Sequence, residues 1–430
     1  MKHPPANVLP VLLCAALAIV SPAAASASAT SAVAVASAAS ATSAASAASA
    51  AGGEGTLRAA VDRAARLDPV VRTLGARAGE VDASRAVAQA LFPAPPTAGA
   101  SLRRDRPDRD LGLNELEFEV GLPLWLPGQR ALRQRLAGDE GMERDAALAD
   151  ARLQVAGRVR ESLWALAYAR LDESAARRRI ETAERLTADV ERRVAAGVLA
   201  RADLLLARTE VASARSQLIE AASRVEQGMH AWRALAGDSV LPASWVETAV
   251  TDEASTHPLL VALRAGVDLA RSRLKLASES NRDPPELGLQ HRSDRDIHGA
   301  DYRNSVRVAL RIPLATDARN QPRVAAANTG LVRAESTLLQ LQQRLESDRA
   351  RAEAELAAAR AQEANARERQ RDAAEHLSLV ARAFDLGELS LVAMLRALSL
   401  ADEAQADLDR QVAARNRAIA RINQAAGVLP

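Results

Sequence analysis

Phe118-Glu-Val-Gly-Leu-Pro-Leu-Trp-Leu-Pro-Gly-Gln-Arg130 changes its period part-way along. Up to Pro123, Leu116, Phe118, Val120 and Leu122 fall on one side, while Glu115, Glu117 and Glu119 fall on the other. A two-residue alternation of this kind is a strand with one apolar face and one wet face. Taken alone, it also suits a surface strand of a soluble sheet. Past Pro127-Gly128 the spacing becomes helical and stays free of proline from Gln129 to about Val194, with Val155, Val159, Leu163 and Leu166 marking the stripe. At about 1.5 Å per residue, such a run extends roughly 100 Å, far beyond a globular-domain helix.

The same programme returns downstream. Val306-Arg-Val-Ala-Leu-Arg-Ile-Pro313 alternates, with Val306, Val308, Leu310 and Ile312 against Arg307 and Arg311, and a helical run follows from about Arg319 to Phe384. Pro123 and Pro313 are 190 positions apart (313 − 123), as are Gly197 and Gly387 and also Gly237 and Gly427; Pro69 and Pro258 differ by 189. This is an internal duplication. The expected boundaries are a first repeat over 54–242 and a second over 243–430. Each reads helix, strand, strand, long helix, helix, with strands at about 97–104, 113–124, 286–291 and 302–313. The Val70–Leu91 helix stops at Phe92-Pro93-Ala-Pro-Pro96. Trp245–Leu276 is expected to be helical with a break at His257-Pro258, and His291–Asp301 to be a polar loop.

The rest of the chain limits the function. Aromatic residues make up 2% and apolar residues 48% of the 430, a helix-rich composition. The formal charge is +2. No basic run is interleaved with aromatics, which argues against nucleic-acid binding. Residues 1–25 carry Lys2, an apolar core around Cys14 and then Ala23-Ala-Ala25, a secretory signal peptide. Residues 26–53 form an Ala/Ser-rich tether with nothing to build a core. Cys14 is the single cysteine, so the remaining chain has no thiol chemistry. Five histidines after the signal, His230, His257, His291, His298 and His376, are scattered. His291 and His298, with Asp294, Asp296 and Asp301, match no metal-ligand spacing. No phosphate loop, nucleophile motif or cofactor motif is present, and no enzyme is expected.

Two strands per repeat make four per chain. Four strands cannot close, and lipid tolerates no open edges. If the apolar faces meet lipid, several chains must pool their strands to reach the eight or more that enclose a space. Glu115, Glu117, Glu119, Arg307 and Arg311 would then line the pore, paired across strands or favouring cations. Pro123, Pro127, Gly128 and Pro313 would be the joints between barrel and helices.

With the duplication, the Leu-Pro-Leu-Trp-Leu-Pro-Gly-Gln-Arg segment and the two turns Ala195–Ala207 and Phe384–Ala397, the chain resembles the TolC family of outer-membrane efflux proteins from about Leu57 to its end. The resemblance implies a mainly α fold with a small β part: a homotrimer forming a twelve-stranded barrel on an α-helical tunnel. The barrel would sit in the lipid of a Gram-negative outer membrane and the helices in the periplasm. It implies the passive exit duct of a tripartite pump carrying small molecules or metal cations. The partners would be a periplasmic adaptor (membrane fusion) protein and a proton-driven inner-membrane pump, the adaptor docking at the tip turns Gly197, Val198, Leu199, Gly387, Glu388, Leu389 and Ser390. The segment around Trp125 looks closest to members paired with heavy-metal efflux pumps. One departure stands out. Where the family's type member has two acidic residues after the second tip turn, this chain has Ala393 and Arg396, and the first half carries Asp203. Asp203 and Arg396 are expected at the tip constriction as an inter-helix ion pair, with solvated helix-face charges as the alternative. A periplasmic coiled-coil adaptor or scaffold also has long hairpins, but it would not need alternating strands between them.

Overall fold

The computed structural model describes residues 55–105, 111–250 and 257–430. The expected signal peptide and tether lie outside the described residues. Seven helices and four strands follow in the order α1 (Leu57–Leu67), α2 (Pro69–Gln89), β1 (Thr97–Arg104), β2 (Asn114–Pro123), α3 (Gln129–Ala195), α4 (Arg201–Ala236), α5 (Pro258–Glu279), β3 (Glu286–Arg295), β4 (Arg303–Arg311), α6 (Asp317–Asp385) and α7 (Leu391–Ala425).

The strands form one antiparallel sheet, in the order β1-β2-β3-β4. Partners directly opposite share a face, so the register sorts every residue. Ala98, Ala100 and Leu102 stand beside Val120, Phe118 and Leu116, then Leu289, His291 and Ser293; Leu289 and His291 in turn face Val308 and Val306. This face is apolar and open, with Phe118, Val306, Val308 and Leu310 all exposed. The other face carries Arg103, Glu115, Glu117, Glu119, Arg292, Asp294, Arg303, Arg307 and Arg311.

Two expectations need correction here. His291–Arg295 is strand, not loop: β3 runs ten residues and pairs fully with β2. Its alternation is hidden because one face of this end carries Arg292 and Asp294, which are satisfied by charge. Arg292 reaches Glu115 at 3.1 Å, and Arg303 reaches Asp294 at 3.1 Å. Trp245–Val250 is not helical. It runs extended, with the Val250 N–H donating to Asn423 Oδ1 at 3.0 Å, so a side chain replaces the helical acceptor.

The helices pair as two long hairpins, α3 with α4 and α6 with α7. Small residues recur every seven positions along the seams: Ala352, Ala359, Ala366 and Ala373 on α6, and Ala207, Ala214 and Ala221 on α4, all buried. A strict heptad imposes left-handed supercoiling, and alanine at the seam lets the backbones approach closely. The proline the sequence reading passed over, Pro322, is the sixth residue of α6, where it has no N–H to give to the helical ladder. Where the hairpins begin, Leu57, Val61 and Ala64 of α1 pack on Val155, Val159 and Leu163 of α3 and Trp232 of α4. Beside this core, Arg160 is 4% exposed. It donates to both carboxylate oxygens of Glu247 at 2.8 and 2.7 Å, to Gln424 Oε1 at 2.6 Å and to the Val428 carbonyl at 3.0 Å.

Asp68 caps α2. Its Oδ1 accepts from the Val70 and Val71 amides at 2.9 and 3.0 Å, and its Oδ2 takes Arg158 at 2.5 Å. Burial works to raise its pKa, but those bonds outweigh it and hold the carboxyl below its usual 3.8. Burial likewise opposes, and Arg417 and Arg421 overcome it, in holding Glu161 below 4.5. A depressed folded pKa contributes stability that is present above the unfolded value and lost as pH falls through the folded one. Burial instead lifts Asp150 and Asp402, which act in the opposite sense. Urea midpoints should fall below about pH 4.5, and Asp68→Asn should flatten that fall while lowering the midpoint at neutral pH. An unchanged acid limb in the variant would remove Asp68 from the account.

Candidate functional site

The candidate residues lie at two places, the sheet and the hairpin tips. At the first tip the Gly197 N–H donates to the Val194 carbonyl at 3.0 Å and the Val198 N–H to the Arg193 carbonyl at 2.9 Å. At the second, Gly387 donates to Phe384 at 3.1 Å and Glu388 to Ala383 at 2.9 Å. Both are Schellman closures, which need a left-handed residue after the cap. Gly197 (φ 76°) and Gly387 (φ 80°) supply it. Val198 and Leu389 are exposed, and Leu199 packs inward.

Asp203 and Arg396 do not form an ion pair. Asp203 lies at the third position of α4 and accepts the Ala200 N–H at 3.1 Å, one half of a capping box. The second tip uses the other half: the Ser390 hydroxyl accepts from the Ala393 N–H at 3.4 Å. The duplicated turns thus cap their helices with different members of one device, which accounts for an acid at 203 and alanine at 393. Arg396 is exposed and lines a shallow apolar groove with Leu206, Val392, Leu395 and Leu400.

Residues that the sequence reading missed connect the two tips. Arg193, on α3, reaches across to α6: it bonds Asp385 at 2.7 Å and the Phe384 carbonyl at 3.3 Å, and its guanidinium stacks 4.7 Å from the Phe384 ring. Asp189 holds its Nε at 2.7 Å. Burial alone would lower the Arg193 pKa, but the bonds to Asp385 and Asp189 raise it, so the cation persists at any physiological pH. Beneath it Val190, Ala207, Phe384 and Leu391 make a closed apolar cluster. Arg193 aligns with Ala383 in the other repeat, so the duplication itself gave no signal of this latch.

On the charged face of the sheet, the expected pairing of Glu115, Glu117 and Glu119 with Arg307 and Arg311 does not occur, because β3 separates β2 from β4. Glu115 is buried between Arg292 at 3.1 Å and Arg103 at 4.0 Å, and Arg311 pairs with Glu286 at 3.2 Å. Glu119 and Arg307 each stand opposite Gln290, one on either side.

At the joints, Leu124 donates to the Pro285 carbonyl at 2.7 Å, and Gly128 (φ 78°) starts α3. Buried Gln129 links the Leu126 N–H to the Ser280 hydroxyl, both at 3.3 Å, fastening one repeat's joint to the other's helix end. Trp125 Nε1 donates to the Ala90 carbonyl at 3.2 Å, and Arg133 lies over its ring. No helix among the described residues is long and apolar enough to cross a membrane. The described residues contain no group of three or more His, Cys, Asp or Glu side chains placed to hold a metal.

Residues 61–238 match the family model of the outer membrane efflux protein, and that segment spans α3, both strands of the first repeat and the first tip. Over that segment, which is less than half of its length, the chain is similar to the outer membrane efflux protein family. Solved structures share most of the fold of this chain. CusC superposes with a TM-score of 0.72 at 15% identity, over 87% of this chain and 92% of that one. A membrane protein from Pseudomonas aeruginosa gives 0.69 at 18%, over 86% and 93%. The outer membrane protein VceC of Vibrio cholerae gives 0.67 at 15%, over 86% and 96%. No curated protein sequence matches the chain. The matched family is described as an outer membrane efflux protein, and the solved structures include outer membrane channels.

Proposed function

We propose that this chain is an outer-membrane efflux channel and that three copies of it form one passive duct, a twelve-stranded barrel continued by a helical tunnel. It would serve as the outer exit of a tripartite pump for small molecules or metal cations. An unequal pattern of contacts carries the reading. Helix α5 packs along both α6, its own repeat's long helix, and α3, that of the preceding repeat. Its counterpart α2 packs along α3 and makes no comparable contact with α6. The amino-terminal half of α6 is correspondingly open, with Val332 and Leu339 exposed, and so are the outer strands β1 and β4. One chain therefore leaves unfilled, at both ends, the contact it makes internally, and a ring of copies fills it.

The duct has no energy source of its own. The rim of tip turns, Gly197 to Leu199 and Gly387 to Ser390, is where a periplasmic adaptor of a proton-driven inner-membrane pump would dock. Asp203, Arg396 and the Arg193 latch would border the narrowest point. Glu115, Glu117, Glu119, Arg307 and Arg311 would face the lumen, and Pro123, Pro127, Gly128 and Pro313 would join barrel to tunnel. The test is fractionation of the full-length protein. An outer-membrane detergent extract should yield a trimer that survives unheated SDS gels and collapses to monomer on boiling. Recovery as a soluble periplasmic monomer would refute the duct and favour a scaffold role.

A further inference from the structure

We infer that β4 of one copy pairs with β1 of the next in one defined register, with Ala309 opposite Ser101. The inference rests on the trimer reading above and adds the seam that holds it. The chain already contains one such seam, because β2 closes the first repeat, β3 opens the second, and they meet with Gly121 opposite Gly288. Matching the two hairpins fixes the offsets. Thr97 faces Gly121 and Glu286 faces Arg311, so β1 precedes β3 by 189 positions while β2 precedes β4 by 190. Carrying the internal seam over by these offsets sets Arg311 opposite Gly99 of the next copy. Leu310 then falls opposite Ala100, Ala309 opposite Ser101, Val308 opposite Leu102 and Arg307 opposite Arg103.

The register preserves one property of the internal seam and gives a workable barrel geometry. It keeps the faces: Leu310 and Val308 meet Ala100 and Leu102 on the apolar side, and Ala309 meets Ser101 on the charged side. A one-residue slip would mix the faces along the whole strand. It also closes the barrel. A level that starts at Thr97 passes Gly121, Gly288 and Ala309 and re-enters the next copy at Ser101, four residues further on. Three copies accumulate a stagger of twelve residues over twelve strands. At about 3.3 Å per residue and about 4.8 Å between strands, the tilt is roughly 35°, at the low end of the 35–45° typical of barrels. A stagger of two per copy would give roughly 20° by the same spacings, too little to close.

The register has a chemical signature. Within the chain, Arg103 faces Glu115, Arg303 faces Asp294 and Arg311 faces Glu286. Between copies Arg307 faces Arg103, a like-charged pair that weakens a ladder. The seam is therefore held by backbone bonds and the apolar side, and it carries one repulsive rung.

Cysteine pairs read the register directly. They are placed in full-length protein with Cys14 changed to Ser, and extracted unheated after oxidation. Directly opposite residues are about 4.5–5.5 Å apart at Cα, within disulfide reach, whereas diagonal neighbours at about 7–8 Å are not. Ser101→Cys with Ala309→Cys should give covalent dimers and trimers on boiled, non-reducing gels. Cross-linking instead by Gly99→Cys or Arg103→Cys with Ala309→Cys would overturn the register and leave the trimer standing. No cross-link in any pair, with a monomer on unheated gels, would overturn the trimer as well. Arg307→Glu should raise the temperature at which the trimer dissociates by several degrees, and a fall or no change would overturn the Arg307–Arg103 rung.

Discussion

Glu247→Ala lowers the stability of the folded chain by about 3–5 kcal/mol, the cost of leaving a buried partner charge uncompensated. That partner is Arg160, at 4% exposure, which has no route to water once the bidentate carboxylate is gone. Asn423 loses a partner in the same step, since its Nδ2 donates to Glu247 at 3.0 Å and to the Thr248 carbonyl at 2.9 Å. The network ties three distant parts of the chain together: α3 through Arg160, the extended segment through Glu247, and the end of α7 through Gln424 and Val428. Its loss should free the inter-repeat segment first, so amides of residues 245–250 should exchange faster than those of α3. Replacing both charges, Arg160→Met with Glu247→Leu, should recover most of the loss, because a well-packed apolar pair often matches a buried ion pair. Urea unfolding followed by helical circular dichroism checks both variants. A Glu247→Ala midpoint within error of the parent would show that the pair contributes nothing.

Arg193→Ala should open the tips. It removes the Asp385 bond, the Phe384 carbonyl bond and the stack on the Phe384 ring at once. Partly exposed ion pairs contribute up to about 1 kcal/mol and a cation over an aromatic face about 0.5–1. Together these bias each chain by roughly 2 kcal/mol, and at 1.4 kcal/mol per decade the ratio of open to closed tips should rise about 10- to 30-fold. Planar-bilayer recording of the purified protein reads this as a matching increase in open time, and Arg193→Lys should restore part of it. If Arg396→Ala lengthens the open time while Arg193→Ala does not, the constriction lies where the sequence first suggested and the latch is only structural.

The fold was legible in the sequence because its signals are physical and long. The alternation of Leu116, Phe118, Val120 and Leu122 and the proline-free run after Gly128 needed no homologue to interpret, and the 190-residue offset supplied the topology. The errors have a common origin. Arg292 and Asp294 concealed four residues of strand, because their partners are across the sheet and invisible to local pattern. Trp245–Val250 looked helical because its anchor, Asn423, lies 173 residues away. Asp203 looked like the partner of Arg396 when judged by charge; within the chain its carboxylate instead accepts the Ala200 N–H as a cap. Arg193 carried no signal at all, since one arginine among many on a long helix is ordinary until Phe384 and Asp385 are folded against it.

The two repeats differ in length at the far end of the sheet, where the offset changes from 189 to 190 between the paired strands. From joint to tip they are identical: Pro123 to Gly197 and Pro313 to Gly387 each span 74 positions (197 − 123, 387 − 313). Equal helical paths would bring both tips to equal depth, so in the proposed trimer six tips would stand level with one another. Levelness is a discrete property here. Deleting one residue from either long helix withdraws its tip by about 1.5 Å and turns it by about 100°, so the helices tolerate change in their side chains far better than change in their length.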